Sequence, residues 1–300
     1  MVEAGSGILP SIRDRVFSEG ANRIKVEGPG VEYLNAEGPM IIATTHMTDL
    51  DPQYAIAALT ERLGGMENVR IAHSSSHRSW KRPELKIALS VVEKLVGKGR
   101  IIPISYRYSQ ENDPKTGQAH KYDRGALNPK DWKNIIKRLK NKERLFTAAY
   151  YEDSHYFALP KRSGYLPLVL QHHVSQATLL PVVVLFPQEV YKKQQHIPTT
   201  PPKIIVCEPI SLKPLAWFSS EKLKQIQEIF PDFQGKPVDF FEMVLQERRS
   251  EEFTKLDRTQ RELLREEFGL IKTQLRQQSE QLMLALGAHV PDELKPKQDS

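Results

Sequence analysis

A histidine and an aspartate separated by four residues, His46 and Asp51, stand where a short apolar segment gives way to a helical pattern. An imidazole acts as a general base near neutral pH when a carboxylate binds one ring nitrogen and the other stays free. Such a pair would remove a proton from a hydroxyl group. Asp51 also directly precedes Pro52, as is typical of a helix start, so helix capping alone is an alternative interpretation.

Further histidines allow a second kind of site, one that binds a metal ion. Imidazole and carboxylate groups suit zinc or manganese, and such a cluster would support a metal-dependent hydrolase. The candidates are His46, Asp49, Asp51, His73, His77, His172 and His173. Their spacings match no compact ligand motif, such as two histidines one helical turn apart beside a glutamate. We therefore expect no bound metal.

The segments around these residues predict an α/β fold. Apolar runs typical of buried strands occur at residues 40–45, 69–72, 100–104, 144–150, 179–186 and 203–210. Between several of them, at residues 51–65, 83–96 and 132–139, apolar residues recur at helical spacing. This alternation predicts a mostly parallel central sheet with helices on both faces. Residues 23–34 carry alternation and glycines that suggest a hairpin-like entry.

The C-terminal third has a different pattern from the rest of the chain. From Ser219 onward the apolar residues keep helical spacing through a strongly charged run. We predict an α/β domain at residues 1–215 and a C-terminal helical extension, or appendage, at residues 216–300. Heptad-like leucines such as Leu256, Leu263 and Leu264 would serve either packing on the same domain or binding a partner.

Composition narrows the classes of function. The chain has 300 residues, 39% of them hydrophobic and 27% charged, with a net charge of +6. A basic excess favours phosphates, nucleic acid or an anionic membrane surface, but no nucleic-acid-reading motif is present, so we expect no nucleic acid partner. A non-enzymatic peripheral membrane-binding protein remains an alternative. Cys207 is the one cysteine, which excludes an internal disulfide.

The sequence shows neither a secretory signal nor a membrane-spanning segment. The N-terminal residues lack the apolar core of a secretory signal, and no run reaches the roughly 18 apolar residues of a spanning helix. We expect a cytoplasmic protein that associates peripherally with membranes.

Four stretches, in order over about residues 25 to 190, resemble the sequence blocks of the glycerolipid acyltransferases, the lysophosphatidic acid and glycerol-3-phosphate acyltransferase superfamily. The first is GPMIIATTHMTDLDP, with the His-x4-Asp motif. The second is GKGRIIPISYR, whose arginine falls on Arg107. The third is LFTAAYYEDSHYFALPKRSGYLPLVLQ, with Glu152 and a basic segment containing Lys161, Arg162 and Gly164. The fourth is ATLLPVVVLF, a strand that carries Pro181.

The resemblance implies transfer of a fatty acyl group from a thioester, on coenzyme A or acyl carrier protein, to a hydroxyl of a glycerolipid precursor such as lysophosphatidic acid. His46 would be the general base and Asp51 would orient it. The acceptor phosphate would be bound by Arg107, Lys161 and Arg162. Glu152 would orient the acceptor hydroxyl or the basic groups. No cofactor is implied beyond the acyl thioester as co-substrate.

Two departures from the family pattern mark a divergent member. Thr45 stands where the family usually has asparagine before the histidine. The usual Pro-Glu-Gly-Thr-Arg of the third block is replaced by YEDSH, which keeps Glu152 but places His155 at the arginine position. Recognition of a phosphate by this block is therefore in question, and the acceptor stays open.

Overall fold

A computed structural model describes residues 24–47, 51–60, 62–74, 100–104, 129–150, 164–188, 191, 201–247 and 250–295. Within these residues seven strands form one sheet in the order β1-β7-β6-β2-β5-β3-β4. The strands are β1 (Lys25–Glu27), β2 (Met40–Thr44), β3 (Val69–Ser74), β4 (Ile101–Ile104), β5 (Arg144–Ala148), β6 (Thr178–Leu185) and β7 (Lys203–Val206). The prediction of an α/β fold with a mostly parallel sheet is confirmed.

The central strand of the sheet is β2. It pairs in parallel with β5 on one side and with β6 on the other, and Thr44 lies opposite Ala148 and Val182. All five residues of β2 are buried. Because successive side chains of a strand point to opposite faces, both faces of β2 are covered. This explains why β2 is a continuous apolar run and does not alternate with polar residues.

The edge of the sheet beside β6 differs from the predicted hairpin-like entry. Strand β7 runs antiparallel to β6, and β1 pairs in parallel with β7. The first described strand, β1, therefore lies at an edge of the sheet and is followed by a short helix instead of an antiparallel partner, so the interpretation of residues 23–34 as hairpin-like is wrong. The Gly30 N–H donates to the Val206 carbonyl at 3.0 Å, and a short 3-10 helix at Val31–Asn35 leads towards β2.

Among the described residues, three α-helices of defined bounds lie between the strands of the sheet. They are α1 (Asp51–Leu59), α2 (Pro129–Lys140) and α3 (Leu166–His173). The first lies against β2, β5 and β6, and the third against β2 and β6. Helices α1 and α2 occur where the apolar spacing predicts them. Helix α3 was not predicted, because all but two of its eight residues are apolar or buried and no amphipathic period shows. The predicted helix at residues 83–96 lies outside the described residues.

The remaining helices follow the sheet in the chain. They are α4 (Ser220–Ile229), α5 (Pro237–Glu247), α6 (Glu251–Lys255) and α7 (Arg258–Gly287). Helix α7 contacts α5, α3 and β6. Stacked rings of Phe241 and Phe268, with centroids 5.0 Å apart, join α5 to α7, and Phe241 also meets Tyr165 edge-on at 5.8 Å. The predicted helical character of the C-terminal third is confirmed, and its helices pack against the sheet-containing part.

Candidate functional site

His46 lies just beyond the end of β2, in a loop whose start is fixed to β6. The Thr45 N–H donates to the Val182 carbonyl at 2.9 Å. The Thr45 hydroxyl accepts a hydrogen bond from the Val184 N–H at 3.0 Å. Thr45 is fully buried, whereas the next residue, His46, is partly exposed. The backbone before the histidine is thus held by the sheet while its side chain is accessible.

Asp51 is the first residue of α1 and is fully buried. Its Oδ2 accepts a hydrogen bond from the Met47 N–H at 3.1 Å. Met47 is joined by a peptide bond to His46, so the carboxylate is held against the backbone of the loop that carries the histidine. The positive end of the α1 dipole lies at the same place and favours the ionised carboxylate. A carboxylate fixed there can stabilise a positive charge on a neighbouring imidazole.

A second segment of chain meets the end of β2 from the β5 side. The Ala149 N–H donates to the Thr44 carbonyl at 2.8 Å, and the Ala149 carbonyl accepts from the Gly164 N–H at 2.7 Å. Tyr150 and Gly164 are the two described residues that flank residues 151–163. The chain therefore leaves and re-enters the described fold beside the end of β2, next to the loop that carries His46.

The predicted binding residues belong to segments that begin or end at this edge of the sheet. Glu152, Lys161 and Arg162 lie between Tyr150 and Gly164, and Arg107 follows β4; all four are outside the described residues. Their predicted roles therefore stay predictions. Pro181, the proline of the fourth stretch, lies inside β6 opposite Ala43.

Pro181 is accommodated in an interior strand because of the side its nitrogen faces. Neighbouring residues of a strand direct their backbone groups to alternate sides, and Pro181 directs its own towards β7. There its carbonyl accepts from the Cys207 N–H at 3.0 Å, one residue after β7 ends. The missing proline N–H therefore interrupts no bond to β2. The strand beside the histidine loop stays intact.

Two candidates for the alternative metal site lie elsewhere. His172 and His173 end α3, near the side of the sheet where β2 and β6 begin, because the adjacent Gln171 amide donates to the Ala177 carbonyl just before β6 at 3.1 Å. His46 follows the opposite end of β2. The structure therefore does not bring the histidines of α3 together with His46. Among the described residues, no group of three or more histidine, cysteine or acidic side chains is placed to hold a metal ion.

The two histidines of α3 instead contact the C-terminal helices. His172 Nε2 lies 2.7 Å from the Gln278 side-chain oxygen on α7. His173 Nε2 lies 2.6 Å from the Glu242 carboxylate on α5, and its Nδ1 lies 3.4 Å from Asp239. Burial lowers the pKa of His172, against the opposing effect of the Gln278 hydrogen bond. Burial raises the pKa of Glu242, and the bond to His173 opposes that shift.

One contribution to the site was not foreseen from the sequence. Thr45 was noted only as a departure from the asparagine of the family pattern, yet its hydroxyl fixes the loop to β6. A threonine after an apolar strand gives no signal of such a bond, because a buried threonine hydroxyl usually binds a carbonyl of its own chain segment.

No model of a known protein family matches the chain, and a search of curated proteins found no match. In the parts of the chain that the structure describes, no helix has the length and apolar character needed to cross a bilayer.

Proposed function

We propose that this protein is an O-acyltransferase that moves a fatty acyl group from an acyl thioester to a hydroxyl of a glycerolipid precursor. One observation carries the proposal: a fully buried aspartate at the first residue of a helix is bound to the backbone directly after a partly exposed histidine. That arrangement stands at the carboxyl end of a central parallel strand, where open α/β sheets bind their ligands. The ordered resemblance of four stretches to the glycerolipid acyltransferases supports the same reaction.

In the proposed step, a ring nitrogen of His46 takes the proton of the acceptor hydroxyl as its oxygen bonds to the thioester carbonyl carbon. The tetrahedral intermediate then breaks its carbon–sulfur bond, and the leaving thiolate receives the proton from the imidazolium. Asp51 holds the imidazole in the required tautomer and stabilises its positive charge. The products are the acyl ester and the free thiol, and no covalent enzyme intermediate forms.

We further propose that Arg107, Lys161 and Arg162 bind an acceptor phosphate and that Glu152 orients the acceptor or these basic groups. The location of Gly164 supports this for the third stretch, because its N–H bond to Ala149 brings the chain back beside β2 directly after Lys161 and Arg162. Guanidinium and ammonium groups supply charge-assisted donors to phosphate.

We also propose that helices cover both faces of the sheet and that the protein attaches peripherally to membranes. Helices on both faces of the sheet are supported by the burial of every β2 residue. Peripheral attachment to membranes is supported by the net charge of +6 and by a lipid product.

The test is a direct assay of acyl transfer. Purified protein is incubated with acyl-coenzyme A or acyl carrier protein thioester and a panel of acceptors, with and without phosphate, and the lipids are analysed by mass spectrometry. A new acyl ester with release of one thiol per ester is the expected result. Thiol release without ester, or activity abolished by a chelator, would favour a hydrolase, and no turnover of any thioester would favour a binding protein.

A further inference from the structure

The edge of β6 that faces β2 carries backbone groups that would bind β2 if that strand continued beyond Thr44. In a regular parallel ladder that continued past Thr44, the Thr45 carbonyl would accept from the Val184 N–H, and the Met47 backbone would then bind the Val184 carbonyl and the Phe186 N–H. The first of these bonds is already replaced, because the Val184 N–H goes to the Thr45 hydroxyl. The Met47 N–H goes to Asp51.

The two positions on β6 that Met47 would occupy are taken by one side chain, that of Tyr191. Its hydroxyl accepts from the Phe186 N–H at 3.0 Å and donates to the Val184 carbonyl at 3.5 Å. These are the next two backbone groups along the edge of β6 that faces β2. The phenol therefore completes the ladder beyond the point where β2 leaves it.

Tyr191 is held in this position by burial and by an aromatic neighbour. It is 2% exposed, and its ring meets that of Phe186 edge-on with centroids 6.2 Å apart. Burial raises the pKa of the Tyr191 phenol, and the negative charge of Asp51 adds to this effect. The hydroxyl thus keeps its proton at neutral pH and can donate to Val184.

We propose that Tyr191 is the positioning residue of the His46 and Asp51 pair: its hydroxyl occupies the β6 positions that Met47 would take in a longer β2, and so keeps the Met47 amide on Asp51 and His46 outside the sheet. Without the hydroxyl, the Val184 carbonyl and the Phe186 N–H are left unpaired in a buried place. In the parallel register of β2 and β6, the Met47 backbone is the group that would pair with them. Any such movement would pull the histidine loop towards β6 and away from Asp51.

The chain offers a matched control for this hydroxyl. Tyr54 on α1 also meets the Phe186 ring edge-on, with centroids 5.3 Å apart, and is 6% exposed. Among the described hydrogen bonds, its hydroxyl takes part in none to the edge of β6. Tyr54→Phe therefore removes the phenol oxygen of a buried tyrosine beside the same ring without touching the ladder, whereas Tyr191→Phe removes the ladder bonds and keeps the ring.

The experiment compares the two variants with the wild type by NMR and by kinetics. In Tyr191→Phe we expect the Phe186 amide resonance to shift, because its acceptor changes from the Tyr191 hydroxyl to the Met47 carbonyl. We expect the Met47 amide resonance to shift as well, because its acceptor changes from the Asp51 carboxylate to the Val184 carbonyl. For acyl transfer, kcat should fall by between about tenfold and 100-fold with both KM values nearly unchanged. Tyr54→Phe should match the wild type in all three measurements.

The role of Tyr191 in holding the loop can be tested without acyl transfer. Only the kinetic prediction rests on the proposed function. If the wild type transfers no acyl group, the proposed function fails, and the Met47 and Phe186 amides still decide the role of Tyr191. If Tyr191→Phe changes the Phe186 amide but leaves the Met47 amide and kcat as in Tyr54→Phe, the phenol is merely structural and the inference is overturned. Should Tyr191→Phe not fold, the wild type alone decides: the Tyr191 hydroxyl proton should be protected from exchange and show a nuclear Overhauser effect to the Phe186 amide, and its absence would overturn the inference.

Discussion

Asp51 and Asp257 both stand at the start of a helix, but the N–H group that donates to the carboxylate comes before the aspartate in one case and after it in the other. Asp257 accepts from the Gln260 N–H at 2.8 Å, three residues into its own helix, in a capping box. Asp51 accepts from the Met47 N–H, four residues before it. Asp51 is therefore tied to the loop that carries His46, as a residue that orients the histidine needs to be. An amide at position 51 could still accept from Met47 but would carry no charge.

A prediction at this scale concerns Arg162 and the altered third stretch. Because His155 stands where the glycerolipid acyltransferases that this stretch resembles have arginine, and an imidazole of ordinary pKa carries only part of a charge at neutral pH, an acceptor phosphate would depend on the remaining cations. Arg162→Ala should raise the acceptor KM about 10- to 100-fold and leave the donor KM nearly unchanged. Steady-state kinetics with a phosphorylated acceptor and its dephosphorylated counterpart would measure this.

The control for that measurement is Arg258→Ala. Arg258 is an exposed arginine on α7 that pairs with Glu262 at 2.8 Å, so its loss should leave both KM values unaltered. Equal losses of Arg162→Ala on both acceptors would refute the phosphate assignment.

Single residues of the candidate site were predictable only where their neighbours in the sequence indicate a role. The sequence marked His46 and Asp51 as candidates because a histidine after an apolar strand and an acid before a proline are visible in the order of the residues. Tyr191 was not marked, because its hydroxyl reaches backbone groups of Val184 and Phe186 and nothing in the sequence shows which carbonyl a distant phenol will meet. The bond from Thr45 to Val184 was missed for the same reason.

At the scale of elements, the end of β2 is set by its neighbours more than by its own sequence. Thr45 leaves the ladder through its side chain, and Gly164 binds Ala149 on the β5 side. The apolar pattern predicted strands β2 to β7 and helix α1, because a buried strand leaves an apolar run and an amphipathic helix leaves a period. It did not predict the parallel pairing of β1 with β7, because the choice of a pairing partner leaves no periodic pattern in the sequence. It did not predict helix α3 either, because a short helix that is buried over most of its length shows no amphipathic period.

The edge of the sheet gives a prediction for two glycines of similar conformation. Gly28 has φ +113° and a Cβ there would lie 2.3 Å from the Val206 carbonyl oxygen, whereas Gly38 has φ +117° and nothing lies within 4 Å of its Cβ position. Gly38→Ala should cost about 1–2 kcal/mol of unfolding free energy through its positive φ alone. Gly28→Ala should cost at least about 1–3 kcal/mol more, because β1 cannot then approach β7.

Urea denaturation of both variants measures the difference between these two substitutions. Equal losses would contradict the close packing of β1 on β7.

At the scale of the molecule, the C-terminal helices are joined to the sheet-containing part through α3. His172 binds Gln278 on α7, and the Gln278 amide donates in turn to the Lys213 carbonyl at 2.8 Å. His173 binds Glu242 on α5. The sequence predicted helices after residue 216 but not which helix they would pack on, because the contact surface involves polar residues that a helical period leaves out.

A pH dependence follows from His172. Its folded-state pKa is lowered by burial, so below about pH 6.5 the unfolded chain binds the proton more readily. The stability that His172 contributes is therefore present above that pH and is lost as the pH falls through the lowered pKa. In urea denaturation at pH 7.5 and pH 5.5, the wild type should lose more unfolding free energy than His172→Gln. A loss of the same size in both proteins would contradict the buried contact.

Attachment to membranes is the second prediction for the whole molecule. The net charge of +6 should give binding to vesicles that contain anionic lipid and weaker binding to neutral ones. Binding should decline as salt approaches 1 M, where the Debye length falls to about 3 Å. Vesicle sedimentation over a salt series measures both effects. Binding that ignores both lipid charge and salt would contradict an electrostatic attachment.

The claim at the centre of this account is that His46 and Asp51 act as one catalytic unit, and a double-mutant cycle on acyl transfer tests it most directly. The proteins are the wild type, His46→Gln, Asp51→Asn, the double variant and, as a control for capping, Asp257→Asn. We expect each single substitution at the pair to lower kcat by about 10²- to 10⁴-fold, with the double variant little worse than His46→Gln alone. Asp257→Asn should keep wild-type kcat. Near-normal turnover by Asp51→Asn, or fully multiplicative losses in the double variant, would contradict the claim.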